Sequence, residues 1–291
     1  MKDPVCIFGC GRGFSLRSSL RPHAITSHAI IVNIDQFSIT RDGGAFFSDG
    51  FSDGVPPPSA PNFASGTAAS YSVLGTIPNN AESGGLLQLN SANGALSANA
   101  TEAPRLTLAA TLLTSTTGGA TQLGTGNTLV ETGLFSLTIP PGPLFSAYGI
   151  QFTDAAGAGA NQLVQLFVRF NEATGQPQIA YILQDFVANT ITTLGTSPLN
   201  LSLGADQILF TLSRPNVGDN NFFGSFSYLS GGSIVGGGSF ATPGVLFQGE
   251  NFVRGRFFVA EAIPEPETYA MLLAGLGLLG FVARRRKQQS A

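Results

Sequence analysis

The chain has 291 residues, 43% of them apolar and only 11% charged, with a formal net charge of −3. Disordered chains combine few apolar groups with high charge, so this composition argues for a folded body, and the length leaves room for one large domain plus tails. Between Arg41 and Ala262, six arginines, no lysine and thirteen acids leave a charge of −7, which argues against nucleic acid as a partner because phosphate binding needs a basic surface.

Residues 1–40 stand apart as an atypical N-terminus. They lack the basic start, apolar stretch and small-residue cleavage site of a secretory signal. The longest uncharged apolar stretch there is Ala29 to Val32. Cys6, Cys10, His23 and His28 are the only cysteines and histidines in the chain, separated by three, twelve and four residues. That pattern resembles a two-cysteine, two-histidine zinc finger, with Phe14 and Leu20 at its apolar positions. Pro4 stands where the finger family has an aromatic residue, and the first spacer of three departs from the family. A nucleic-acid finger works in a reducing cytoplasm, and the composition changes abruptly after this segment. The expectation is a mis-assigned or altered start, and no metal is assigned to the four residues.

The body, residues 41–262, reads as strands. Apolar and polar residues alternate in short runs at 71–77, 86–90, 105–113, 134–139, 148–154, 162–171, 178–186, 207–214, 222–229 and 253–260. Alternation at period two implies one buried and one solvated face. In QLVQLFVRFN, Leu163, Gln165, Phe167 and Arg169 share one face and Val164, Leu166, Val168 and Phe170 the other; the second is expected to be the buried one. Turn signals such as Asn171-Glu172-Ala173-Thr174-Gly175 separate the runs. No helical period appears before residue 269. The predicted fold is all-β, an antiparallel β-sandwich or jelly roll. Its core is filled from 23 Phe, with no Trp, and no cysteine is available to cross-link it. FFSDGFSDGVPPPSAPNF (46–63), YGIQFTDA, LQDF and VRGRFFVAEA resemble the concanavalin A-like lectin/glucanase sandwiches. That resemblance implies the sandwich fold and admits carbohydrate as a ligand.

Candidate chemistry in the body is sparse. A glycosidase needs two carboxylates at fixed separation, but Asp154, Asp185 and Asp206 stand alone in their runs, with no paired acids on one strand face. No histidine follows His28, so the body offers no Ser-His or Cys-His pair. No enzyme activity and no cofactor are expected. Tyr148, Tyr181 and Tyr228 are the candidates for stacking a sugar ring, against the alternative that they are core-edge residues. Ser48-Asp49-Gly50 and Ser52-Asp53-Gly54 repeat at a spacing of four; Asp oxygens could bind calcium, but Asp-Gly is also ordinary turn chemistry, and that reading is preferred. GGSIVGGG (231–238) lacks the Lys-Ser/Thr and helix start of a phosphate cradle and is expected to form flexible hairpin loops. Asn99-Ala100-Thr101 and Asn200-Leu201-Ser202 are formal glycosylation sequons.

The C-terminus, residues 263–291, carries the clearest signal. Tyr269 to Ala283 is uncharged. As a helix its 15 residues rise roughly 22 Å against a hydrocarbon core of ~30 Å. Arg284, Arg285, Arg286 and Lys287 follow, able to snorkel to an interface and to mark the cytoplasmic side. The expectation is a single transmembrane helix over 269–283 with the body outside. Pro264-Glu265-Pro266, the apolar run with glycines, and the basic end stand in that order over Ile263 to Gln289. Together they resemble the PEP-CTERM sorting tail of bacterial exported proteins, a tail also catalogued as an ice-binding-protein C-terminal domain. The resemblance implies recognition of Pro264, Glu265 and Pro266, as substrate, by an exosortase-type membrane enzyme that cuts near the motif. Two prolines keep such a motif extended.

Taken together, the sequence predicts an exported bacterial envelope protein. It is held in transit in the inner membrane and then sent to the cell surface or secreted. The resemblance to the PEP-CTERM family, whose members accompany exopolysaccharide production, implies a structural or adhesive role in an exopolysaccharide or biofilm matrix. The alternative is a carbohydrate-binding, lectin-like module.

Overall fold

The structure, a computed structural model, describes residues 30–52, 54, 69–74, 81–90, 105–112, 123–140, 146–154, 162–171, 173–247 and 252–261. Among these residues it is all-β, with one short 3-10 turn at Leu201–Leu203, and every strand pairing is antiparallel. The first sheet runs β15 (Ser233–Ser239), β14 (Asn221–Ser230), β13 (Gln207–Arg214), β8 (Leu129–Ser136), β1 (Ile31–Arg41), β5 (Leu86–Asn90) and β4 (Ala81–Ser83). Beyond β5, β2 (Gly44–Asp49) takes up the same side of β1, and β16 (Gly244–Val245) pairs with β14. The second sheet runs β12 (Thr190–Pro198), β11 (Gln176–Asp185), β10 (Gln162–Asn171), β9 (Ser146–Asp154), β17 (Phe252–Glu261), β6 (Arg105–Leu112) and β3 (Ala69–Leu74). β7 (Leu123–Gly124) continues the β6 side of β17.

The sheets pack face to face because their strands alternate. In β8, β13 and β14 every second residue is buried, which turns Phe135, Ile208, Phe210, Leu212, Phe222 and Phe226 inward. Facing them stand Tyr148, Ile150, Phe152, Val164 and Leu166 of the second sheet, in one continuous core. Aromatic rings cross the gap: Phe37 meets Phe257 at 4.9 Å, Phe152 meets Phe222 at 5.3 Å and Phe135 meets Tyr148 at 5.6 Å between centroids. Such pairs add about 0.5–1.5 kcal/mol each beyond their buried area.

The two sheets also share their ends. Glu261, Ser146, Asn171, Gln176 and Pro198 lie together at one end of the second sheet. Gln207, Ser136, Ile31 and Ser233 lie at one end of the first. Hydrogen bonds from Tyr148 to Thr138 and from Asn200 to Tyr228 join those ends. This is the tail end, because β17 finishes there. The far end carries the turns β13–β14 and β11–β12.

Four expectations change. β1 starts at Ile31, inside the segment set apart as residues 1–40, because IVNIDQFSITR alternates and packs between β8 and β5. Leu163, Gln165 and Phe167 of β10, expected to face water, are buried. A second small cluster of Ala147, Phe167, Ala180, Ile182 and Phe258 covers that face, and Gln165 donates to Gln151 at 2.7 Å. Phe170, expected inside, is half-buried. Residues 233–239 are strand β15 rather than loop. Only Gly231 and Gly232 make the turn, at φ 54° and 79°. Gly236 and Gly238 are flat against the core: a Cβ there would sit 2.7 Å from Leu203 and 2.9 Å from Phe226.

Four charged residues are buried on strands, Asp49, Glu131, Asp154 and Arg214, and two of them, Arg214 and Glu131, lie in phase with the core residues of their strands. Arg214 at the far end of β13 is fully buried. Its Nε donates to the Asp219 carbonyl at 2.8 Å, Nη1 to the carbonyls of Asn127 at 2.5 Å and Gly124 at 3.4 Å, and Nη2 to that of Thr125 at 2.8 Å. The guanidinium lies 4.8 Å over the Phe247 ring. Phe247 itself sits at φ 62°, a costly backbone for a bulky residue. Burial lowers the Arg214 pKa, and Asp219 opposes this. Arg214→Met is expected to destabilise by roughly 3–5 kcal/mol, because four carbonyls lose a charged donor in a dry site. Arg214→Lys should recover little, since an ammonium cannot reproduce the planar fork. Tyrosine fluorescence through a urea titration reads both; a change within ~0.5 kcal/mol for the Met variant, the range of ordinary surface substitutions, would overturn the assignment.

Glu131 in β8 is also fully buried. Its Oε1 accepts the Arg256 N–H at 2.7 Å, and Oε2 has no hydrogen-bond partner. Burial raises its pKa well above 4.5, against smaller opposing effects of the Arg256 N–H and charge. A raised folded pKa means that the native state prefers the neutral acid. The contribution is complete below the unfolded pKa and is lost as pH climbs toward the folded one. Glu131→Gln keeps the Oε1 acceptor and removes the charge. It is expected to match the parent near pH 4. At neutral pH it should exceed the parent by on the order of 1–3 kcal/mol, because an amide is spared the desolvation of an ionised group. Denaturation midpoints across that range check it, and a Gln variant weaker than the parent at neutral pH would refute it.

Candidate functional site

The sorting motif meets the fold at β17. This strand is central: it pairs with β9 from Val253 to Glu261 on one side and with β6 and β7 on the other. Its sequence, FVRGRFFVAE, alternates around a glycine, and Val253, Phe257 and Val259 are buried in the core. Gly255 is needed for the close approach of the first sheet. A Cβ there would stand 2.5 Å from Ile39 Cδ1 and 3.2 Å from Glu131 Oε1. The last strand residue is therefore fixed, and Pro264 follows it by three residues, at most about 10 Å of extended chain. An enzyme that reads the motif must approach within that distance of the tail end.

Pro264, Glu265, Pro266, the run 269–283, Arg284, Arg285, Arg286 and Lys287 lie outside the described residues, as do Cys6, Cys10, His23 and His28. Among the described residues no helix is long and apolar enough to cross a membrane.

The three tyrosines offered for sugar stacking are elsewhere than that role requires. Tyr148 and Tyr181 are fully buried, and Tyr228 is 3% exposed. Their parity explains it: Tyr148 shares a face with Ile150 and Phe152, Tyr181 with Ile179, and Tyr228 with Phe226. Each hydroxyl finds a backbone partner, as a buried phenol must. Tyr148 donates to the Thr138 carbonyl at 2.9 Å and accepts its N–H at 3.0 Å. Tyr181 donates to the Phe222 carbonyl at 2.6 Å and accepts from Gly244 at 3.1 Å. Tyr228 accepts from Asn200 at 2.9 Å. Burial pushes all three pKa values up. These residues fasten loops to the core, and their ring faces are not open to a glycan.

The isolated acids serve turns. Asp185 accepts the N–H groups of Val187 and Ala188 at 2.9 and 2.8 Å and the Gln162 amide at 2.8 Å. The Ala188 bond, then the Gln162 bond, lower its pKa, with a smaller contribution from Val187. Asp154 accepts from Gln162 at 3.3 Å, and Asp206 from Gly231 at 3.3 Å. Asp49, in the candidate calcium repeat, accepts the Phe51 N–H at 2.8 Å, and Phe51 is turned to φ 48° with its ring in the core. Asp53, the second acid of that repeat, lies outside the described residues. Among the described residues no group of three or more His, Cys, Asp or Glu could hold a metal.

Sequence reasoning misses Glu131 and Arg214. The signal is present: each sits in phase with core residues, Glu131 with Leu129 and Phe135, Arg214 with Phe210 and Leu212. It also misses the polar row Gln165, Gln151 and Arg256, which register places side by side across β10, β9 and β17.

No curated protein and no solved structure matches the chain. Residues 262–287, beginning one residue after β17 ends, match a family described as the PEP-CTERM protein-sorting motif, and this match supports an exported, envelope-associated protein recognised by an exosortase, a membrane processing enzyme.

Proposed function

We propose that the chain is a structural or adhesive cargo of the bacterial cell envelope, delivered by its last residues to an extracellular polysaccharide matrix. The observation that carries the reading is the sorting motif set directly against the last strand of a closed sandwich. In this reading the run 269–283 spans the inner membrane in transit, the basic cluster 284–287 stays on the cytoplasmic side, and Pro264, Glu265 and Pro266 are the residues that the exosortase reads. The folded body is the payload. Its facing antiparallel sheets agree with a concanavalin A-like sandwich, and its acids at turns agree with a scaffold rather than a catalyst. The lectin alternative loses its three tyrosines to the core.

Intact mass of the protein recovered from its native host, fraction by fraction, tests the reading. The expected species ends near Pro264 to Glu267 and is found in the outer or secreted fraction. Glu265→Ala should leave the tail on and hold the protein in the inner membrane. A full-length parent in the cytoplasm would sink the proposal. For the matrix role, a strain lacking the chain should lose matrix cohesion and regain it with the parent but not with Glu265→Ala.

A further inference from the structure

The exposed aliphatic side chains are unevenly placed. Ile31, Ile139, Leu201, Ile234 and Val235 are 40–69% exposed, and all belong to the tail end. Ile31 opens β1, Ile139 follows the end of β8, Ile234 and Val235 open β15, and Leu201 starts the turn between β12 and β13. From β15 to β1 is four strand steps, so the row is roughly 19 Å wide. On this sheet charge is thin beside it, since Asp35 is part-buried against Gln207 and Asp206 caps Gly231; on the second sheet Glu261 and Arg105 close the same end. The far end differs. Its exposed Val187 and Val217 stand in turns capped by Asp185 and Asp219, with Arg41 and Asp42 nearby, and Ile191, 63% exposed, stands on edge strand β12 just past the first of those turns.

The chain beyond β17 says what meets this end. Eight residue steps lead from Glu261 to Tyr269, where the uncharged run begins. Fully extended they span roughly 28 Å. Once the run is in a bilayer, the tail end cannot leave the lipid surface by more than that. Tethering turns a weak contact into an intramolecular one at high effective concentration, so a few aliphatic side chains suffice. We infer that the tail end of the sandwich rests on the lipid surface, with Ile31, Ile139, Leu201 and Ile234 in the interfacial layer and the charged far end pointing away. This inference rests on the reading of 269–283 as membrane-inserted.

The test uses the full chain in vesicles of phosphatidylethanolamine and phosphatidylglycerol. Because the body has no cysteine, Cys6→Ser and Cys10→Ser give a background for single labels. An environment-sensitive fluorophore is placed by Leu201→Cys or Ile234→Cys at the tail end, by Val187→Cys or Val217→Cys at the far end, and by Leu276→Cys in the tail. All four body positions are exposed, so the fold should tolerate them, and circular dichroism verifies it. Lipids with a nitroxide headgroup supply the quencher. The sandwich is roughly 33 Å long along its ten-residue strands, which puts the far end out of contact range. The expected result is a blue shift at 276, loss of most fluorescence at 201 and 234, and no loss at 187 and 217. A blue shift at 276 with equal, weak quenching at both ends would overturn the docking while leaving the tail inserted. No blue shift at 276 would overturn the inserted tail and the docking with it.

Discussion

The fold depends on aromatic rings that cross between two sheets. The body has no cysteine and therefore no disulfide to close it. Apart from the ladders within each sheet, the layers are joined by packing in one core, led by the contacts of Phe37 with Phe257, Phe135 with Tyr148 and Phe152 with Phe222, and by a few hydrogen bonds such as that of the Arg256 N–H to Glu131. Each of these rings is large and has few rotamers, so one set of them fixes the spacing of the sheets at many points. The absence of Trp matters little, because fully buried Phe and Tyr fill the gap.

A core closed by packing alone has to accommodate the polar groups that enter it. The three tyrosines do so by placing a ring in the core and a hydroxyl on a backbone group at its edge. Arg214 does so with four carbonyls from two turns, which binds the 124–127 segment to the β13–β14 turn. Glu131 is an exception. One oxygen is satisfied and the other is not, and the preferred form there is the neutral acid. The second sheet carries the same pairing of polar groups to its outer face, where Gln165 and Gln151 meet between buried apolar neighbours.

Much of this is legible in the sequence, and the failures have physical causes. Strands with unbroken alternation, such as β13 and β14, stand out, whereas β10 is found as a strand but its LVQLFV run is buried on both faces, so alternation does not tell its inside from its outside. The run 134–139 marks only part of its strand, which is Leu129–Ser136. Glu131 and Gly133 occupy inward positions there, and a carboxylate in the core breaks the apolar pattern that the eye follows. β12 escapes notice because an exposed, threonine-rich edge strand has no apolar face to declare it. β15 resembles a loop because Gly236 and Gly238 leave room for neighbouring side chains, and a residue chosen for what it lacks gives no positive signal. The tyrosines are legible by parity, which places them inside, whereas residue type alone suggests a sugar site. The sorting motif needs no structure, since its resemblance to the family tail rests on the order of proline, apolar run and basic end along the sequence.

The position of β17 links the motif to the body. Ladder hydrogen bonds lie at right angles to antiparallel strands, so tension along the tail is tension along β17 and loads the bonds on both of its sides together. An edge strand would instead be held from one side only. The strand is also keyed to the opposite sheet. Gly255 lets Ile39 and Glu131 approach its backbone, and the Arg256 N–H is given to Glu131 across the core. A pull at Glu261 is thus shared by both sheets before any strand can slide. A load applied through the residues beyond Glu261, where the sorting motif stands, therefore meets the whole sandwich rather than one edge strand. Removing the tail after Glu261 leaves every one of those contacts in place.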